Sequence, residues 1–148
     1  MSNALIVYAT RKGETKKIAD LIAEGLRFSG VTVTLIEASA IRQYEEIEGF
    51  DAYAFGASTY HGDMLPAMKT FLFLAEKAEL AGKVAGAFGA FGWSGEAPDR
   101  IYDTMKHVFR MMVVGTPLRL KDSDLGGGIQ MAQDYGRKIA EKVNAVGS

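Results

Sequence analysis

Short, almost wholly apolar β-rich runs alternate along this chain with segments of helical period, and that alternation leaves few folds open. The run Ala4-Leu5-Ile6-Val7-Tyr8 is nearly all apolar, as in a strand buried on both faces. Ile18, Leu21, Ile22 and Leu26 then repeat at helical spacing, and Gly30 follows as a stop. Val31 to Ile36 reads as a second strand, Ala52 to Ala57 as a third, Val84 to Phe88 as a fourth and Met111 to Val114 as a fifth. Pro66 opens a helix carrying Met68, Phe71, Leu72 and Ala75. A further helix is expected over Glu96 to Phe109, and a last one carries Ile129, Ala132, Gly136, Ile139 and Val143. The crossover from Ala38 to Phe50 is open between a helix and an irregular turn. Strands alternating with helices predict an α/β fold: a doubly wound, five-stranded parallel sheet with helices on both faces.

Composition narrows the chemistry. A chain of 148 residues suits one compact domain, 1–148. It has no cysteine, which excludes disulfides, thiolate metal sites and cysteine nucleophiles. Two histidines are too few for a histidine-rich metal centre. Seventeen basic residues against eighteen acidic ones give no broadly basic footprint, so no nucleic-acid partner is expected. The opening MSNALIVYAT lacks the basic n-region of a signal peptide, and no stretch is apolar enough to span a bilayer. A cytoplasmic protein without a membrane partner is expected.

In open parallel sheets, ligands bind beyond the carboxyl ends of the strands where the winding reverses. Three loops lie there. Thr10-Arg11-Lys12-Gly13-Glu14-Thr15 leads into the first helix. Free N–H groups at a helix start, the helix dipole and a permissive glycine suit one phosphate. No Gly-Lys-Ser/Thr or three-glycine fingerprint occurs, so a pyrophosphate is not expected. Equally, the segment reads as a capped helix start with exposed basic residues. Ser58-Thr59-Tyr60-His61-Gly62-Asp63 sets an aromatic beside small polar groups, and Asp63 has the option of capping the next helix. Gly89-Ala90-Phe91-Gly92-Trp93-Ser94-Gly95 places two aromatics among glycines, either to cover a ligand or to plug the core edge. One phosphate cradle and two aromatic-bearing walls fit a flat heteroaromatic ring on a phosphorylated tail, as in FMN.

These residues resemble the flavodoxin family along essentially the whole chain. Ile6-Val7-Tyr8-Ala9-Thr10, with Gly13-Glu14-Thr15, is similar to the family's FMN phosphate loop. Ser58-Thr59-Tyr60 resembles the loop whose aromatic stacks on the flavin. Gly56 to Pro66 together with Phe91-Gly92-Trp93-Ser94-Gly95 is most similar to the flavodoxin-like domain of flavodiiron proteins. The resemblance implies a free-standing flavodoxin: a monomeric carrier that holds FMN noncovalently and shuttles single electrons between transient redox partners. It implies that Thr10 to Thr15 hold the phosphate, that Tyr60 covers one face of the ring, and that Trp93 or Phe91 shields the other face or an edge. Backbone groups around His61-Gly62 and Gly92 to Gly95 would meet the polar rim.

Three departures stand out. Arg11 and Lys12 replace the family's more usual neutral hydroxyl residues, with a cation beside the phosphate or a solvent or docking role all open. The turn beside the flavin has His61 first and Gly62 second, which favours a type II turn with positive φ at Gly62. The net charge of -1 is unlike the acidic flavodoxins and implies partner docking with weak salt dependence. The alternative is a flavodoxin-like FMN oxidoreductase of protoporphyrinogen oxidase or quinone reductase type. The former usually carries a long basic insertion not seen here, and the latter is usually longer.

Overall fold

A computed structural model describes residues 2–60, 62–92, 95–121 and 127–146. Eight strands and four α-helices follow in the order β1 (Asn3–Ala9), α1 (Glu14–Phe28), β2 (Thr32–Glu37), β3 (Ala52–Ala57), β4 (Thr59–Tyr60), β5 (Asp63–Met64), α2 (Pro66–Ala75), β6 (Val84–Phe91), α3 (Glu96–Asp103), β7 (Met112–Val113), β8 (Leu118–Lys121) and α4 (Ile129–Val146). The main sheet runs β2-β1-β3-β6, and β7 and β8 share the place beyond β6. Every pairing in it is parallel. The winding therefore reverses between β1 and β3.

Period-two alternation sends the strand side chains to two separate cores. Leu5, Val7 and Ala9 of β1, with Tyr53 and Phe55 of β3, pack against Met68 and Phe71 of α2 and Ile101 of α3. Ala4, Ile6 and Tyr8 of β1, with Phe88 of β6, pack against Ile18 and Ile22 of α1 and Ile139 and Val143 of α4. Burying both faces requires strands without polar positions, which is why β1, β3 and β6 read as continuous apolar runs. Gly30 ends α1 with a φ of 83°, and its N–H bonds the Arg27 carbonyl at 3.0 Å.

Four expectations change. The crossover from Ala38 to Phe50 is neither a regular helix nor a plain turn: two short 3₁₀ turns, Ala38–Ala40 and Tyr44–Ile47, occupy it. The helix expected to reach Phe109 is α-helical only to Asp103 and continues as a π turn over Thr104–Val108. The fourth strand is longer than Val84 to Phe88, because β8 pairs with its tail through Phe91. The fifth strand is split. Gly115 takes a φ of 56° and Pro117 supplies no N–H, so the chain leaves the sheet after β7 and returns as β8. Leu118 and Leu120 are buried while Arg119 and Lys121 are exposed, an alternation that marks β8 as a half-covered strand.

The break leaves part of β6 without a strand partner on that side. β7 pairs with Val84 and Ala85, and β8 pairs from Phe88 onward. The Ala87 N–H inside this gap donates instead to the Tyr135 hydroxyl of α4, at 3.0 Å. A Cβ on Gly86 would lie 2.8 Å from that hydroxyl, so the glycine makes room for it. Burial pushes the Tyr135 phenol up from its ordinary value. Tyr135→Phe keeps the packing but strands a buried N–H. We expect it to cost about 1–3 kcal/mol, read as a lower urea midpoint with an unchanged denaturant slope.

Candidate cofactor site

The carboxyl ends of β1, β3 and β6 lie on one edge of the sheet, and the loops that follow them converge there. After β1, the Thr10 hydroxyl accepts the Gly13 N–H at 3.0 Å and closes the loop on itself. Gly13 has a φ of 93°, where a side chain is strained, and the space beside its Cα is open. The first helical bond back to it comes from Lys17, at 3.1 Å from the Gly13 carbonyl. The amides of Glu14, Thr15 and Lys16 thus belong to the open first turn of α1 and aim at the loop. That is a donor set for one phosphate.

Beneath the loop lies a buried hydroxyl pair. Thr15 is fully buried and Ser58 is 5% exposed. Their hydroxyls are 2.7 Å apart, and Thr15 Oγ1 also accepts the Ala90 N–H at 3.2 Å. The Ser58 N–H reaches the Ala9 carbonyl at 3.2 Å. One threonine thus ties α1 to the ends of β3 and β6. Its side chain is occupied below the site, so what Thr15 has left for a phosphate is its amide. The Thr59 hydroxyl is also occupied: it accepts the Ala97 N–H in the first turn of α3, at 3.0 Å.

After β3 the chain forms the hairpin of β4 and β5, in which Thr59 faces Met64 and Tyr60 faces Asp63. Gly62 at its tip takes a φ of 74°, the sign the residue order favours. Tyr60 is 39% exposed, and the Arg11 guanidinium sits 4.0 Å from its ring centroid. Asp63 does not cap α2, whose first turn follows Leu65. It ties the hairpin to two helices, through an ion pair with Lys69 and a 3.8 Å contact to Arg100. The Lys69 ammonium, then the Met64 N–H, hold its carboxyl below the ordinary value of 3.8. A depressed carboxylate contributes stability present above its unfolded pKa and lost as pH falls through the folded one, so this tie loosens only in acid.

After β6, the segment read as a loop from Gly89 is strand through Phe91, since Gly89, Ala90 and Phe91 pair with Arg119, Leu120 and Lys121. The loop itself begins at Gly92. A Cβ on Gly95 would lie 3.3 Å from both the Phe91 ring and the Arg119 side chain, so Phe91 is half-buried against Gly95. His61, Trp93 and Ser94 lie outside the described residues. Exposed at the site are Arg11, Lys12, Tyr60 and Gly92, while Thr10, Gly13, Glu14, Gly62 and Gly95 are half-exposed. Sequence reasoning gave no role to Arg119 or to the Asp63 ion pairs. The buried–exposed alternation of Leu118 to Lys121 was the available signal for the first.

A second concavity lies between α2 and the π turn, walled by Met64, Leu72, Phe73, Val108 and Phe109. It has no helix start to receive an anion, so the edge of the sheet is the better cofactor site. Among the described residues no cluster of acidic or histidine side chains is placed to hold a metal ion, and no helix is long and apolar enough to cross a membrane.

A doubly wound parallel sheet with an anion-ready helix start and an exposed aromatic on one edge defines a mononucleotide-binding α/β protein. A family model for the flavodoxin domain matches residues 5–119. The chain is 29% identical to a flavodoxin of Clostridium beijerinckii, covering 91% of this chain and 97% of that one. A type A flavoprotein of Rhodobacter capsulatus is 31% identical, but the chain spans 93% of itself and only 32% of that protein. Among solved structures, an archaeal flavodoxin superposes with a TM-score of 0.86 at 34% identity, covering 96% of this chain and 99% of that one. Rubredoxin:oxygen oxidoreductase from Desulfovibrio gigas gives 0.90 at 26% identity, with 98% of this chain on 37% of that one.

The chain belongs to the flavodoxin family. Its flavodoxin domain is an FMN-binding one. The oxidoreductase alternative is not favoured, because the matching model is a flavodoxin domain and a flavodoxin matches over nearly its whole length.

Proposed function

We propose that residues 1–148 act as one flavodoxin-like domain that carries single electrons between redox partner proteins, with FMN held at the edge where β1, β3 and β6 end. The observation that carries this reading is the open first turn of α1 beside the exposed ring of Tyr60. Bound there, FMN supplies the electron-accepting chemistry. The amides of Glu14, Thr15 and Lys16 meet its phosphate, with Thr10 and Gly13 shaping the loop and Arg11 and Lys12 flanking it, Lys12 adding charge. Tyr60 covers the ring, and the backbone around Gly62, Gly92 and Gly95 meets its polar rim. Phe91 supports Gly95 from below. His61, Trp93 and Ser94 complete the lining in this reading.

Docking is transient and weakly dependent on salt, since the net charge of -1 leaves little steering field. The monomeric state, the cytoplasmic location and the lack of a nucleic-acid or membrane partner are parts of the same proposal; the balanced charge supports the lack of a nucleic-acid partner.

The test is a spectroelectrochemical titration of the FMN-loaded protein, run beside an assay for NAD(P)H or quinone turnover without a partner. A carrier shows reversible titration and no turnover. Sustained turnover by the protein alone contradicts the proposal.

A further inference from the structure

We infer that Arg11 works on the ring end of the FMN site rather than on the phosphate end: it is a positioning residue that backs Tyr60. This rests on the reading that FMN binds where β1, β3 and β6 end. A cation in a phosphate loop suggests a phosphate ligand, but the geometry places the Arg11 guanidinium over the Tyr60 ring, at 4.0 Å from its centroid. That is a close cation–π stack. Among the described residues Arg11 forms no ion pair, so the stack is its one assigned contact.

The placement follows from the chain. The Thr10 hydroxyl is fixed by the Gly13 N–H, which sets the course of the loop through Arg11 and Lys12. Tyr60 stands on the two-residue strand β4, which pairs with β5. The guanidinium adds a contact to the ring itself, beyond the ties that anchor the hairpin through Asp63 and Thr59. Arg11 and Tyr60 are both exposed, so the stack stands at the surface of the site. In this inference the flavin ring lies on the opposite face of Tyr60 from the guanidinium. A planar guanidinium suits this task better than an ammonium would.

Riboflavin separates the two roles, because it has the ring of FMN without the phosphate. Dissociation constants for FMN and riboflavin are measured by flavin fluorescence for the wild type and for Arg11→Met, which keeps the stem and removes the charged plane. Backing predicts that both ligands weaken by the same factor, about two- to fivefold, the size of an exposed cation–π contact. It also predicts no further loss when Arg11→Met is added to Tyr60→Leu. Weakening of FMN alone would assign Arg11 to the phosphate and overturn the inference. No change in either ligand would overturn it too. So would equal tightening, which would put the guanidinium in the place of the flavin. Failure of the wild type to bind either ligand would instead overturn the reading of the site on which the inference rests.

Discussion

Gly136→Leu is expected to lower stability by about 3 kcal/mol or more and to move the urea midpoint accordingly. Helix propensity alone points the other way, since leucine is favoured over glycine inside a helix by several tenths of a kcal/mol or more. Packing decides the sign. A Cβ on Gly136 would stand 2.2 Å from the Ile22 carbonyl and 2.9 Å from the Leu26 amide, both backbone atoms of α1. The reverse holds across the interface, where a Cβ on Gly25 would stand 2.0 Å from the Gln133 carbonyl. Backbone cannot swing away as a side chain can, so α1 and α4 must separate. Ile18, Ile22, Ile139 and Val143 then lose contacts in the core they share. A control sits on the same helix: Arg137→Leu, at a half-buried position, should stay within about 1 kcal/mol. Equal midpoints for Gly136→Leu and the wild type would refute the close crossing of the two helices.

Thr15→Val is expected to cost about 1–3 kcal/mol and to weaken FMN binding with it. Valine matches threonine in shape, so the loss is chemical. The Ala90 N–H loses its acceptor at 3.2 Å and Ser58 loses its partner at 2.7 Å, in a place water does not reach. These bonds tie the start of α1 to the ends of β3 and β6, so their loss loosens the loops that face the cofactor. Ser58→Ala should cost less, because Thr15 keeps its bond from Ala90. Stability equal to the wild type in Thr15→Val would show that the pair carries no strain-free bond worth keeping. Lost stability with unchanged FMN affinity would confine Thr15 to the core.

The alternation of apolar runs and helical repeats carried the fold, because a parallel sheet covered on both faces demands continuous apolar strands such as Ala52 to Ala57. It failed where that demand relaxes. β8 is covered on one face only, carries Arg119 and Lys121 on the other, and follows Pro117, so it reads as loop. Its pairing with Gly89, Ala90 and Phe91 was hidden for the same reason. At the site, the residue types and the loops that carry them were legible, while the direction of each side chain was not. Thr10, Thr15, Ser58 and Thr59 all look like ligand hydroxyls in sequence. Packing turns Thr15 and Ser58 toward each other, Thr59 toward α3 and Thr10 back to its own loop. Gly62 is the converse case: a glycine second in a turn has few options, and its positive φ follows from order alone.

The placement of FMN is best tested by amide chemical-shift mapping during titration of the apoprotein with FMN. The account predicts saturation at one FMN per chain, with the largest shifts at Gly13 to Lys16, at Tyr60 to Gly62 and at Gly92 to Gly95. Saturation with the largest shifts along Leu72, Phe73 and Val108, in the groove between α2 and the π turn, would contradict it. So would the absence of any shift at saturating FMN.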